Sequence, residues 1–329
     1  MKENPKAVEA LDSLSERMAK IHEEVASIIF GQDRVIEETL VSILSGGHVL
    51  LIGLPGLGKT RLVETLGTAL GLNERRVQFT PDLMPGDIIG SEVLEENENG
   101  KRHFRFIKGP LFCQLFMADE INRASPRTQS ALLQAMQERR VSIGGHYHEL
   151  PQPFHVLATQ NPLEQEGTYP LPEAQLDRFF MEINVDYPER DAERDILLST
   201  TGTTSKTPTQ IFSSDELLKA QDLVRSVPVS ETVLEAILTL VREGRPETSS
   251  LEFVQRHVAW GPGPRASQAL MLGIRARCIL HKRLSPSLDD VICLAAPILR
   301  HRMALNFAAR AEGVSLSHII DNLIKQITP

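Results

Sequence analysis

The sequence predicts an α/β domain with a parallel sheet, followed by a helical domain. Short unbroken apolar runs, which are typical of buried parallel strands, alternate with segments of helical periodicity as far as residue 187. After Tyr187-Pro188 the strand patterns stop and only helical periodicity follows. We therefore expect an α/β domain over residues 1–187 and an all-helical domain over residues 188–329.

The elements follow in order along the chain. In the first domain we expect helices at 7–29, 33–45, 59–70, 127–139 and 173–180, and strands at 48–52, 76–80, 114–118, 154–160 and 181–185. Two segments interrupt this alternation: residues 82–110 are polar with glycines, and residues 140–150 resemble a hairpin that turns at Gly144-Gly145. In the second domain helices are expected from 213, where Ser213 and Glu216 form a capping box, and at 230–243, 251–258, 265–283, 288–302 and 316–327.

Composition and charge restrict the class of protein. Of the 329 residues 41% are apolar and 24% charged, which is ordinary for a soluble globular protein. The net charge of −8 argues against a nucleic-acid backbone as the main partner, because phosphate binding depends on clustered Lys and Arg. The charged, helix-patterned N-terminus does not resemble a signal peptide, and no apolar run is long enough to insert into a membrane. A cytoplasmic protein is expected.

Residues 53–60 fit the phosphate-binding pattern G-x-x-x-x-G-K-[ST], between a predicted strand and a predicted helix. Glycines let backbone N–H groups face phosphates, and the helix that follows presents its positive N-terminus. We expect Lys59 to reach the β- and γ-phosphates and the Thr60 hydroxyl to bind Mg²⁺. The remaining nucleotide-binding residues are Pro55, Gly56, Leu57 and Gly58. The pattern predicts binding and hydrolysis of a nucleoside triphosphate, namely ATP with Mg²⁺.

Two carboxylates, Asp119 and Glu120, end the predicted strand 114–118. At the carboxyl end of a strand beside the P-loop, one carboxylate can hold the metal and the next can polarise the attacking water. We assign Asp119 to Mg²⁺ and Glu120 to the general base. Strands often end in acidic residues, so the assignment depends on the P-loop upstream.

The order of P-loop, Asp119-Glu120 and a strand ending in Thr159-Gln160-Asn161-Pro162 resembles the AAA+ ATPases. Further blocks make the chain similar to the MoxR family over residues 15–325: Phe30-Gly31-Gln32, Gly47-His48, Asp119 to Ala124, Gln129 to Met136 and Pro172 to Phe179. The resemblance implies that Asn161 is sensor 1, which orients the lytic water; an Asn that merely caps a turn is the alternative. It also implies that Gly31 and Gln32 lie beside the adenine.

The same resemblance assigns roles to arginines. Arg178 holds the position of the finger that reaches a neighbouring subunit's nucleotide, although it could instead pair with Asp177 on the surface. Arg265, which opens a lid helix after Gly261-Pro-Gly-Pro264, resembles sensor 2 and would touch the phosphates of its own subunit. Arg123 could face the neighbouring subunit or cap its own helix. These roles imply a homo-oligomeric ring, a hexamer.

The interruptions also have family counterparts. Residues 82–110 look like the helix-2 insert, and residues 139–150 look like the hairpin before sensor 1. The resemblance implies an ATP-driven chaperone that remodels protein partners, often ones with von Willebrand factor A domains. The motor subunit of a metal-chelatase complex is the nearest alternative. A helicase is disfavoured, because the hairpin tip Gly144 to His148 lacks Lys and Arg.

Overall fold

The first part of the chain alternates helices and strands. The computed structural model describes residues 5–96, 102–164, 167–202 and 206–328. Its first elements are α1 (Pro5–Ala26), α2 (Asp33–Leu44), β1 (Val49–Gly53), α3 (Lys59–Ala69), β2 (Glu74–Gln78), α4 (Pro85–Ile89), β3 (Gly90–Glu96), β4 (Arg102–Lys108), β5 (Leu115–Asp119), α5 (Pro126–Glu138), β6 (Arg140–Ile143), β7 (His146–Glu149), β8 (His155–Gln160), α6 (Glu173–Leu176) and β9 (Met181–Val185). A 3₁₀ turn, Ile121–Arg123, follows β5.

Five strands form one parallel sheet in the order β2-β5-β8-β1-β9. The central strand β1 pairs with β8 and β9, so that Leu50 lies opposite Ala158 on one side and Glu182 on the other. The inner strands are apolar runs buried on both faces, which is the pattern that a parallel sheet covered by helices requires. The parallel sheet predicted from the sequence is confirmed. All five carboxyl ends therefore lie at one edge.

The two interruptions form antiparallel hairpins. The 82–110 segment contains α4 and the β3–β4 hairpin, and the 140–150 segment is the predicted β6–β7 hairpin, with Gly144 and Gly145 at φ +56° and +80°. The hairpins contact each other, because the Phe106 ring packs on the His148 ring with 4.1 Å between centroids. Two charged residues of the insert, Glu98 and Lys101, lie outside the described residues.

The second part of the chain is mostly helical. Its elements are α7 (Arg190–Thr201), α8 (Ser214–Ser226), α9 (Glu231–Glu243), α10 (Glu252–His257), β10 (Val258–Trp260), α11 (Pro264–Leu280), α12 (Leu288–Leu299), β11 (Ala304–Leu305), α13 (Phe307–Ala311) and α14 (Leu316–Lys325), with a 3₁₀ turn at Arg300–Arg302. Helix α7 was not predicted, and the antiparallel β10–β11 pair departs from the all-helical expectation. The two strands of that pair have three and two residues, too short for an alternating pattern to predict them.

Helix α1 and the second domain bury apolar side chains together. Met18, Ile21 and Val25 of α1 are fully buried in one cluster that also contains side chains of β1, α2, α11 and α12. The Ser15 hydroxyl donates to the carbonyl of Ile279 in α11 at 2.5 Å. Within the described part of the chain, no helix has the length and apolar character needed to cross a membrane.

The helix predicted over 173–180 is shorter in the structure. Helix α6 ends at Leu176, and the carbonyls of Phe179 and Phe180 accept hydrogen bonds from Arg302 instead of from a following helical turn. Likewise β2 begins and ends two residues before the predicted strand 76–80. Tertiary contacts, which local patterns do not contain, set both ends.

A buried charge network connects α11 and α12. The fully buried Asp290 carboxylate accepts hydrogen bonds from Arg277 at 2.6 Å, from Arg283 at 2.5 Å and from the backbone N–H of Ser287 at 2.8 Å. Burial by itself would raise the pKa of Asp290, but the hydrogen bonds from Arg283, Ser287 and Arg277 lower it below its usual value. The carboxylate is therefore the common partner of two guanidinium groups.

Replacing Asp290 with Ala should destabilise the protein strongly, because both arginines would lose their buried counter-charge. We expect a loss of about 3 kcal/mol in the free energy of unfolding, at the lower end of the usual range because Arg283 is partly exposed. Urea denaturation followed by circular dichroism measures it. The matched control is Asp289→Ala, which removes an exposed carboxylate from the same turn. Equal unfolding midpoints for the two variants would contradict the expectation.

Candidate nucleotide-hydrolysing site

The P-loop connects β1 to α3 and borders a cavity of about 430 Å³. Gly56 and Gly58 adopt φ +83° and +77°, a left-handed conformation that glycine tolerates best. The Lys59 ammonium lies against the loop and donates to the carbonyls of Gly53 (2.5 Å) and Leu54 (2.7 Å). Burial lowers the pKa of Lys59, while Asp119 and Glu120 oppose that shift. The loop thus holds a cation beside two carboxylates.

Asp119 and Glu120 lie across the cavity from the P-loop, at the end of β5. The Thr159 hydroxyl donates to Asp119 Oδ1 at 2.6 Å and accepts the backbone N–H of Glu120 at 2.8 Å. Glu120 has φ 53° and ψ 53°, a left-handed conformation that is uncommon for a side-chain-bearing residue. The backbone therefore turns sharply after Asp119 and directs consecutive carboxylates to different positions in one cavity.

Asn161 borders the same cavity, one residue after β8. Its side-chain oxygen accepts the backbone N–H of Leu163 at 3.1 Å, so the turn-capping contact considered above is present. The amide nitrogen has no hydrogen bond to the described residues and is the donor that a water or phosphate could use. Both interpretations of Asn161 are thus compatible with its position.

Two polar residues of β2 also reach the carboxylates. Arg76 donates to Asp119 Oδ2 from Nε (3.1 Å) and from Nη2 (2.5 Å), and Gln78 donates to Glu120 Oε2 at 2.7 Å. Their alternation along β2 places both side chains on one face of the sheet, next to β5. A polar alternation beside the strand that carries the carboxylates could have indicated them, but the sequence interpretation did not include them.

Arg123 contacts Glu120, the predicted general base of its own subunit. Its Nη1 donates to Glu120 Oε2 at 3.0 Å, and this ion pair raises the pKa of the Arg123 guanidinium. Neither alternative considered for Arg123, a neighbouring subunit or a helix cap, describes this contact. Oε2 therefore accepts from Arg123 and Gln78 together, whereas Oε1 has no hydrogen bond to the described residues.

An apolar cavity of about 220 Å³ adjoins the P-loop at Gly56 to Gly58. It is lined by Gln32, whose amide donates to the Leu57 carbonyl at 2.9 Å, and by Ile196 of the unpredicted helix α7. Gly31 lies behind it: at φ +70° its backbone approaches α7 so closely that a Cβ would stand 2.4 Å from the Ala192 Cβ. The cavity is lined largely by apolar side chains and adjoins the P-loop, as a binding site for the base of a nucleotide requires.

Arg178 and Arg265 lie together in a different cavity. Both border a cavity of about 290 Å³ that shares no lining residue with the P-loop cavity. Arg265 pairs with Asp177 at 3.3 Å, and Asp177 also binds Arg302 at 2.8 Å. The proposed Arg178–Asp177 pair is absent from the described contacts. The structure thus places Arg265 beside Asp177 and outside the lining of the P-loop cavity, and its contact with the phosphates of its own subunit stays a prediction.

Comparisons with known proteins agree with this architecture. Residues 48–181 match the family model described as "ATPase family associated with various cellular activities (AAA)", and residues 252–323 match an AAA lid domain. The chain is 42% identical over 305 residues to Chaperone MoxR1 of Mycobacterium tuberculosis, covering 92% of this chain and 80% of that one. The chain belongs to the MoxR family of AAA+ ATPases. It is also 30% identical to the MoxR protein of Methylorubrum extorquens over 326 residues, covering 94% and 93% of the two chains.

The fold of this MoxR-family ATPase is shared with a solved structure. The crystal structure of a proposed ATPase from Cytophaga hutchinsonii superposes with a TM-score of 0.89 at 36% identity, covering 98% of each chain. The α/β core with a helical lid and the ATPase assignment inferred from sequence are thus confirmed.

We expect Glu120→Gln to lower ATP turnover by about 100-fold or more, the contribution typical of a general base, because an amide cannot accept the proton of water. ATP affinity should stay near normal, since the P-loop is unchanged. Steady-state phosphate release and nucleotide titration measure the two effects. Glu64→Gln, an exposed glutamate on α3, is the matched control, and Lys59→Ala should instead lose nucleotide binding. Parental turnover in Glu120→Gln would exclude Glu120 as the base.

Proposed function

We propose that this protein is a Mg²⁺-dependent ATP-driven ring, a hexamer, that remodels partner proteins in the manner of a chaperone. The observation that carries the proposal is the separation of the two cavities. Lys59, Glu120 and Asn161 border one, whereas Arg178 and Arg265 border the other. Arginines that lie outside the cavity of their own P-loop would have a catalytic use if their face meets the P-loop of a neighbour.

The residues around the P-loop cavity fit Mg²⁺ with a triphosphate. Magnesium prefers oxygen donors and binds through one or two protein ligands together with phosphates. The Thr60 hydroxyl and the Asp119 carboxylate border one cavity, and Asp119 already accepts hydrogen bonds from the Arg76 cation. Thr60 and Asp119 would hold the ion, which neutralises charge on the phosphates when bound. Lys59 would turn from the Gly53 and Leu54 carbonyls to the phosphates.

Glu120 would take the proton from the attacking water. Gln78 and Arg123 fix the carboxylate at Oε2, and Oε1 is the oxygen left to accept that proton. The Asn161 amide would orient the same water from the neighbouring strand end.

Two observations favour protein partners over nucleic acid. Both described arginines of the β3–β4 hairpin are paired with its own carboxylates, Arg105 with Glu95 at 2.8 Å and Arg102 with Glu96 at 3.2 Å, and Lys108 lies over the Phe112 ring at 5.3 Å. Apolar side chains are exposed instead, with Leu94 and Phe104 facing each other across the hairpin at 53% and 69% exposure. The relative named as a chaperone and the family resemblance support a protein client, and a von Willebrand factor A domain protein is the class we propose.

Mixing two inactive variants tests the ring. Arg178→Ala subunits retain a complete P-loop site, and Glu120→Gln subunits retain the arginines, so each should be inactive alone. In mixed rings, an Arg178→Ala site beside a Glu120→Gln neighbour contains every group, and ATP turnover should recover partly. Native mass spectrometry confirms mixing. Failure to recover at every mixing ratio, with mixed rings present, would contradict action between subunits.

DNA should neither stimulate ATP hydrolysis nor bind tightly near physiological salt, because Arg102 and Arg105 of the β3–β4 hairpin are already paired with carboxylates. Tyr147, which is 63% exposed with the Arg140 guanidinium 4.0 Å above its ring, is the side chain we expect to grip a protein. Tyr147→Ala should keep basal turnover but lose stimulation by a purified von Willebrand factor A domain protein. Phe307→Ala, an exposed aromatic in the lid, is the control. Salt-sensitive stimulation by DNA would favour a helicase instead.

A further inference from the structure

The segment that carries Arg178 is fastened to the lid of its own subunit by a buried arginine. Arg302, which is 2% exposed, donates from Nε to Asp177 Oδ1 at 2.8 Å. Its Nη1 donates to the carbonyl of Phe180 at 3.1 Å, and its Nη2 donates to the carbonyls of Phe179 at 2.6 Å and of Asp177 at 3.4 Å. Next to it, the His301 ring contacts the Phe179 carbonyl at 3.0 Å.

Most hydrogen bonds of Arg302 leave the lid. A single bond, to the carbonyl of Ile298 at 2.6 Å, lies within the lid, and the other four go to the 177–180 segment. Burying a guanidinium is costly unless it is paired and its N–H groups are satisfied. Burial lowers the pKa of Arg302, and the Asp177 carboxylate opposes that shift. Asp177 and the nearby carbonyls therefore compensate a charge that the lid could not bury alone.

The side chain of Arg178, in contrast to that of Arg302, is not held by other side chains or carbonyls of the described residues. Its guanidinium makes no hydrogen bond or ion pair with the described residues, so its starting point and direction depend on the backbone between Asp177 and Phe180. That backbone is what Arg302 holds. Asp177 meanwhile binds Arg265 at 3.3 Å, so one carboxylate joins the buried Arg302 to the second exposed arginine of the same cavity.

We propose that Arg302 and Asp177 are positioning residues that hold Arg178 and Arg265 as a pair aimed at a neighbouring subunit's nucleotide. The lid of one subunit would then determine, through Arg302, how the arginine pair meets the nucleotide of the next subunit. This inference rests on the ring proposed above. It goes beyond that proposal because it states that contacts inside their own subunit, between Arg302 and the 177–180 segment, set the direction of the two arginines. We call these contacts the clamp.

The direct test uses Arg302→Lys and Asp177→Asn. Lysine keeps the charge, but its three donors on one nitrogen cannot reproduce a planar fork that spans a carboxylate and three carbonyls. Asparagine keeps the shape of Asp177 and removes its charge. Each variant should lose about 100-fold in kcat, the scale of a roughly 1 Å misplacement of a catalytic group. The KM for ATP should change little, because each variant's own P-loop is intact.

The matched control is Arg300→Lys in the same 3₁₀ turn. Arg300 makes no hydrogen bond to the 177–180 segment, and its Nη1 has no partner among the described residues. Arg300 is half-buried, and its charge opposes the rise in the pKa of the buried Glu38 and Glu182. Lysine keeps that charge, so kcat should stay within about twofold of the parent, the size of effect usual for substitutions that break no hydrogen-bond network. A similar loss in Arg300→Lys would show that any change in this turn impairs the enzyme, and would overturn the assignment to Arg302.

Mixed rings separate positioning from a general folding defect. Lys59→Ala subunits cannot bind nucleotide but keep their arginine face, so mixing them with Arg302→Lys or Asp177→Asn subunits should restore turnover at the P-loops of the latter. A subunit that is merely misfolded would not be rescued. Thermal unfolding followed by circular dichroism checks that each variant folds. If Arg302→Lys does not fold, the result for Asp177→Asn decides the proposal.

Arg178→Ala mixed with Lys59→Ala is the reference. If turnover recovers in this reference mixture but not in mixtures with the Arg302 or Asp177 variants, the positioning role of Arg302 and Asp177 is overturned and the proposed ring is not. If turnover does not recover in the reference mixture, the proposed ring is overturned, and the positioning role of Arg302 and Asp177 with it. Parental kcat in a folded Arg302→Lys or Asp177→Asn variant also overturns the clamp.

Discussion

The parallel pairing of β1, β5 and β8 is the constraint on which the site depends. Parallel strands end at the same edge of a sheet, so the P-loop, the two carboxylates and Asn161 converge although long stretches of sequence separate them. The register brings Thr159, one residue beyond the Ala118–Ala158 pair, to the hydrogen bond with Asp119. Because the ladder fixes these backbones, the site is positioned by the most buried part of the molecule.

The charges at that edge balance one another. Arg76 pairs with Asp119 and Arg123 pairs with Glu120, while Lys59 donates to carbonyls of its own loop. In a half-buried cavity such pairs lower the cost of collecting like charges in one place. Charges are also balanced in the second cavity, where the Asp177 carboxylate pairs with both Arg265 and Arg302. The molecule thus separates two sets of charged groups onto different faces, and each set is neutralised internally by at least one carboxylate.

The sequence by itself determined the α/β core, the helical second domain and the P-loop, because each is encoded locally. Periodicity marked the buried strands, and the glycines of residues 53–60 marked a loop that needs left-handed backbone at Gly56 and Gly58. The hairpin turn at Gly144 could be predicted because it too depends on a local glycine pair. Asp119 and Glu120 were identifiable because a strand end is a short-range feature.

Tertiary structure alone decided which of those groups meet. The contacts of Arg76, Gln78 and Arg123 with the carboxylates depend on strand order and on the turn at Glu120, neither of which is local. Arg265 lies in the second cavity because α11 is oriented by packing on α1, α2 and α12, so a motif at its first turn could not reveal which phosphates it faces. Helix α6 stops at Leu176 because a residue far along the chain, Arg302, binds the carbonyls that follow.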